Sequence, residues 1–291
     1  MDDVTAEDLK AHRFISYEAP LEIAKRWRKS KDPGKTEEAE KLLIWLRDRF
    51  PHVMRIDEEL VVVLLELQKV SQAVAVLKQL SAHLVEPSEE IISRWGRVFR
   101  GAGDAQIKLP DLAKSNAAPQ KTPTEGEASL ARSQYEKALE KYQEAYAIRK
   151  GHYPGVNVAS LHLVLASLSD GAERESHLRA SRKVARDLLR TLGSWPSEQE
   201  DDNVWHLLTA AECHFLLGEF EKAKQAYRDA RAQLNYKKFH GESARKALER
   251  NQIFCRLGEI EGFEDLGPLA DLDHVFLTQD SDSEGETVTT D

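Results

Sequence analysis

The stretch that most restricts how this chain can fold is Trp205–Ala230, WHLLTAAECHFLLGEFEKAKQAYRDA. At helical period it reads as two amphipathic helices broken at Gly218. Leu208, Ala211, Phe215 and Leu216 share one face of the first, and Phe220, Ala223, Tyr227 and Ala230 share one face of the second. Ala211 and Ala223 are small where two helices must cross closely. Gly218 ends the first helix in a conformation costly for other residues, and the aromatics fill the space around the crossing. A hairpin this small cannot bury its apolar face alone, so it demands neighbours of the same kind.

Weaker copies precede it. A helix starting near Pro20 runs to the break at Asp32-Pro33-Gly34, after which Gly34, Ala39 and Pro51 take the offsets of turn glycine, crossing alanine and terminal proline. Leu43 and Leu46 there replace an aromatic and an alanine. Residues 56–69 and 71–84 form the next pair, with Ala73 and Leu77 in place but Gln68 where the glycine belongs. The third copy is split. Ile92, Trp95, Gly96, Phe99 and a terminal Gly103 make its first helix, while Tyr135, Ala138, Tyr142 and Ala145 of its second arrive only after 104–131. That interval, rich in Pro, Ala and Lys, reads as a flexible surface insertion, with a lid over a groove as the second reading. A turn at Pro154-Gly155 follows, with Asn157 as a helix cap, then an apolar helix and a long basic one (Arg179, Arg182, Lys183, Arg186, Arg190). Residues 242–256 read as a closing cap with a polar outer face.

The spacing of glycine, alanine and aromatics resembles the tetratricopeptide repeat, which implies an all-α, right-handed solenoid of roughly four to five helical hairpins. The expected division is 1–103 for N-terminal helices and degenerate repeats, 104–131 for the insertion, 132–261 for C-terminal repeats and cap, and 262–291 for a disordered acidic tail. Residues 271–291 hold seven of the 50 acids and none of the 41 bases, leaving the rest at −2 of the formal −9. So even a balance argues against general nucleic-acid binding. Two cysteines in helical patterns predict buried thiols in a reducing compartment. The charged N-terminus and the short apolar runs predict a cytoplasmic chain with no membrane span.

The order of motifs narrows the resemblance between Gly34 and Leu257. Degenerate repeats come first, then Trp95-Gly96-Arg97 leading to Phe99, then Tyr153-Pro154-Gly155-Val156-Asn157 before an apolar helix, then the Trp205-led helix. This order resembles the central "TRAFs-binding" region of apoptosis signal-regulating kinases and related bacterial proteins of conflict or defence signalling. The resemblance implies a non-enzymatic regulatory or sensor module that serves an effector partner, with a nucleotide-derived ligand in the bacterial relatives.

In such a stack the first helix of each pair lines the concave surface. With Gly96 at the crossing, Ser93, Arg94, Arg97 and Arg100 face the groove, and three arginines at three-residue spacing repel one another unless an anion meets them. That anion is either an acid on a neighbouring helix or a phosphate- or carboxylate-bearing ligand centred on Arg97. Trp205, Thr209, Glu212 and Phe215 face the groove from the fourth copy, and Trp205 either stacks on a ligand or covers the adjacent helix. Tyr153 and Asn157 stand at the groove edge, as ligand contacts or as turn chemistry. No phosphate loop, nucleophile elbow or metal-spaced histidines occur, so no enzyme, metal or other cofactor is expected. The remaining reading is an adaptor whose groove grips an extended peptide.

Overall fold

The computed structural model describes residues 5–11, 14, 16–30, 32–83, 88–109, 123–192, 200–260 and 262–263. Among them are twelve helices and no strand. In order they are α1 (Ala6–Lys10), α2 (Glu18–Lys29), α3 (Pro33–Arg49), α4 (Met54–Glu66), α5 (Val70–His83), α6 (Glu89–Gln106), α7 (Glu125–Arg149), α8 (His152–Ser167), α9 (Gly171–Leu192), α10 (Glu200–Leu216), α11 (Phe220–Arg231) and α12 (Lys238–Leu257). None of the described helices is long and apolar enough to cross a membrane. The expected acidic tail falls almost wholly outside the described residues.

Five hairpins stack in sequence: α2–α3, α4–α5, α6–α7, α8–α9 and α10–α11. Each second helix also packs on the first helix of the next hairpin, which carries one core through a solenoid. Local chemistry sets the boundaries. Asp32 caps α3, its carboxylate accepting from the Gly34 and Lys35 amides, with Pro33 in the first turn. Thr5 and Asp8 form a capping box on α1. Cys213 and Cys255 are buried, and burial pushes both thiols up, so they behave as small apolar residues.

Several local expectations are corrected. α6 runs through Gly103 to Gln106, so Gly103 ends nothing; a Cβ there would meet the Tyr135 ring at 2.6 Å. Gly96, two turns earlier, faces Tyr142 in the same way, at 2.7 Å. Glycine and tyrosine, each repeated after seven residues, set how closely α6 and α7 approach. The helices also reach further into 104–131 than composition suggests. Residues 104–106 complete α6, Ile107 and Leu109 are buried, and a Thr124–Glu127 capping box opens α7 at Glu125; residues 110–122 lie outside the described residues. Pro154 and Asn157 lie inside α8, which already starts at His152, so Asn157 does not cap it. Proline is tolerated there because the first turn needs no amide from it.

The largest correction concerns α12. It is not an outer cap with a polar face but lies on the concave side, packed on α8 and α10. Ile253 and Phe254 enter the core beside Tyr135, Leu161 and Leu165, and Phe254 meets Tyr135 edge-on at 5.7 Å. At its other end, Phe239 and His240 pack on Trp205, and the Lys29 ammonium of α2 stands 5.2 Å over the Phe239 ring. The last helix thus spans the groove and touches the first hairpin.

Candidate functional site

The first helices of successive hairpins line the concave face: α2, α4, α6, α8 and α10. α2 packs directly on α4, α4 on α6, and α8 on α10. α6 and α8 lack comparable backbone packing and are joined through side chains, which leaves a cleft with the second helix α7 behind it. The arginine row stands on its α6 side. Arg100 donates to the Asn157 carboxamide oxygen across the cleft, and the Asn157 amide donates to the Tyr153 carbonyl at 2.8 Å. The Tyr142 hydroxyl of α7 lies 3.4 Å from that of Tyr153, with the two rings edge to face. Four of the expected residues, Arg97, Arg100, Tyr153 and Asn157, therefore gather at one place.

Protein acids answer part of the arginine row. Arg94 pairs with Glu90 one turn back at 2.5 Å. Among the described residues Arg97 reaches no carboxylate closer than Glu66 of α4, at 3.9 Å, and Glu66 also pairs with Arg28 at 3.3 Å. Arg97 keeps 30% of its side chain exposed. Tyr153 is 43% exposed, and three arginines act on its hydroxyl. Burial works to raise its pKa; the guanidiniums of Arg100, Arg97 and Arg94 outweigh that and hold the phenol below its ordinary value. Tyr142, fully buried, is pushed up by burial and then by the neighbouring Tyr153 hydroxyl, with Arg100 opposing. The cleft is electropositive and carries a hydroxyl able to accept or donate.

The other expected residues fall elsewhere. Thr209 is buried on α10, its hydroxyl 3.4 Å from His152 Nδ1, and it braces the start of α8. Trp205 packs on Phe239 and His240, so the covering reading holds and the ring is not brought to the arginine row. Phe215 belongs to the apolar core with Phe220 and Phe263. Glu212 does face inward, where burial raises its pKa and the Asn251 amide donates to it at 3.1 Å.

Sequence reasoning missed Tyr142 as a cleft residue, and Glu66, Ser160, Arg250 and Asn251 altogether. Signals for some of these are present. Tyr142 stands seven residues after Tyr135, as Gly103 stands seven after Gly96; Arg250-Asn251 interrupt an otherwise apolar stripe through Leu248, Ile253 and Phe254.

The family described as Tetratricopeptide Repeats-Sensor matches residues 17–162, from the start of α2 into α8. None of the curated proteins compared with the chain matches it.

Proposed function

Because the chain belongs to the tetratricopeptide-repeat sensor family, we propose that it is a sensor module without catalysis of its own, receiving an anionic ligand in the cleft between α6 and α8. Membership supports a sensing or protein-interaction role; the ligand class and its position are our reading. Arg97 is the centre of the site, with one distant acid for a partner and part of its side chain exposed. Arg94 and Arg100 flank it, and Tyr153 and Asn157 supply hydroxyl and amide groups from the opposite wall. Guanidinium forks suit phosphate and carboxylate, which favours a small phosphate-bearing ligand, nucleotide-derived ones included. An effector protein would read the bound state, as the resemblance to kinase regulatory regions and bacterial conflict proteins implies.

The observation that carries this is Arg97 beside an accessible Tyr153, in the one interval where neighbouring first helices do not pack directly. Calorimetric titration with ATP, ADP and orthophosphate tests it. Heat from at least one of them, lost in Arg97→Ala, supports the site; silence in the native protein, or undiminished binding in the variant, removes it. The adaptor alternative has less support, because α12 already occupies the groove over α8 and α10 and Trp205 is engaged there.

A further inference from the structure

Arg250 lies on α12, outside residues 17–162, and brings to the concave face a charge that the matched repeats do not supply. Its neighbour Asn251 sits in a directional chain. The Ser160 hydroxyl of α8 donates to the Asn251 carboxamide oxygen at 2.7 Å, and the Asn251 amide donates to Glu212 of α10. Arg250 is served differently. It is only 7% exposed, one Nη donates to Ser160 Oγ at 2.9 Å, and its Nε is buried with no acceptor among the described residues.

Two acids face Arg250, and neither pairs with it. Asp104 of α6 accepts from the Tyr135 hydroxyl at 2.8 Å, and Glu212 accepts from Asn251. Neither carboxylate is within ion-pair distance of Arg250. Arg100 is also close enough that, after burial itself, its charge is the main influence lowering the Arg250 pKa. Arg100 has the Asn157 oxygen as its acceptor, which is neutral too. Two guanidiniums thus share one interior in which their hydrogen-bond acceptors are neutral, while Asp104 and Glu212 act on both without pairing. A buried charge so poorly matched opposes folding, and a protein keeps one where it meets something the free chain lacks.

We infer that Arg100 and Arg250 are the two sides of an anion-binding subsite that takes a phosphoryl group, and that α12 is thereby part of the sensor. This rests on the proposed function only in taking the arginine row of α6 as ligand-facing. A phosphoryl group between the two guanidiniums accepts from both, uses the idle Arg250 Nε–H, and ties the last helix to the third hairpin across the cleft. Occupancy then registers as immobilisation of α12, the element that reaches from Trp205 and Lys29 to the core beside Tyr135.

The test uses the full chain, with orthophosphate and inorganic pyrophosphate as probes. Without ligand, Arg250→Met should melt at a higher temperature than the native protein, since it removes a poorly matched charge and keeps the bulk. With pyrophosphate, amide exchange across 244–257 should slow in the native protein, and affinity should fall at least tenfold in Arg250→Met. If that variant does not fold, Arg250→Lys, which keeps the charge without the fork, should still bind several-fold more weakly. A lower melting point for Arg250→Met without ligand makes Arg250 a structural clasp and overturns the inference. So does native-like binding by the variant with unchanged exchange in α12; loss of binding in Arg97→Ala alone would then leave the proposed function standing. Pyrophosphate binding that Arg250→Met abolishes and Arg97→Ala leaves intact supports the inference and removes Arg97 from the centre of the site.

Discussion

The first two hairpins and the next two solve the same packing problem with different residues. In α2–α5 the buried side chains are chiefly aliphatic, with Leu42, Leu43, Leu46, Ile56, Leu60, Leu64 and Leu77 the largest that are fully covered. Their charges are matched: Arg28 meets Glu59 at 2.5 Å and Glu66 at 3.3 Å on the concave side, and Lys69 meets Glu40 of α3 at 2.6 Å. From α6 to α8 the helices approach through glycine against tyrosine, and of the concave arginines Arg94 meets a close acid, Arg97 a distant one and Arg100 a neutral amide. Branched aliphatics fill space in many ways, whereas a ring lying on a glycine fits in one. The second arrangement is the stiffer, and it holds the under-served charges. Matched charge reads as structure here, and unmatched charge as a site.

The strongest way to break this contrast is Gly96→Ala. Its Cβ would fall 2.7 Å from a fully buried Tyr142 ring. Denaturant titration should show a loss of about 3 kcal/mol, where small gains in volume at the aliphatic crossings are tolerated better. A loss below about 1 kcal/mol would mean that the α6–α7 contact relaxes as easily as the rest.

Acid should separate the regions as well. His162 of α8 and His177 of α9 place their Nδ1 atoms 2.9 Å apart, so at most one of those nitrogens carries a proton. Burial, then the neighbouring ring, lowers the His162 pKa to about 4. His177 is lowered by burial too, with Glu173 and Glu136 opposing and Arg132 assisting. The unfolded chain takes up these protons first, near pH 6.5, so the contribution is whole above that pH and is lost on the way down to 4. Stability should fall by about 2 kcal/mol between pH 6.5 and 5 from His162 alone. Amide exchange at mild acid should speed up in α8 and α9 before α2–α5, and His162→Gln should flatten the profile.

Matched and unmatched charges should also part on mutation. Glu59→Gln leaves the half-buried Arg28 with its longer partner alone and should cost about 1.5 kcal/mol. Arg97→Ala should move stability by no more than about 0.5 kcal/mol while abolishing the proposed binding. If Arg97→Ala destabilises the fold as much as Glu59→Gln does, the row is structural and the contrast disappears.

What is legible in the sequence follows the same division. Helical period, small residues at crossings and turn glycines are local properties, and they place all five hairpins. The α6 arginines and the Tyr153–Asn157 wall are legible because they recur at helical spacing around a recognisable crossing. What escapes is non-local. Nothing near Arg250 says that α12 turns back over the concave face; that follows from Phe254 and Ile253 finding a place beside Tyr135, more than a hundred residues earlier. Asn157 misleads for a related reason. A capping residue and a helix-borne hydrogen-bonding residue look alike until Arg100 is seen across from it.

Gln68 gives the smallest and cleanest test of the comparison. At the end of α4 the Gln68 and Lys69 amides donate back to the Leu65 and Leu64 carbonyls, and at the end of α10 the Gly218 and Glu219 amides donate in the same pattern to Phe215 and His214. Both turns are Schellman closures with the pivotal residue left-handed, Gln68 at φ 60° and Gly218 at φ 76°. By residue type the glutamine is a failed repeat position, yet the backbone performs the same turn and bears the conformational cost of a side chain there. Gln68→Gly should therefore raise stability by about 1 kcal/mol, and Gly218→Gln should lower it by a similar amount. Among the described residues a Cβ at 218 has nothing nearer than the Gly262 carbonyl oxygen at 3.9 Å, so the penalty there is conformational and not steric. Equal and opposite shifts would show that the two hairpins close by one mechanism. No gain from Gln68→Gly would mean that the glutamine side chain returns what its backbone costs, making the degenerate repeat an adapted one.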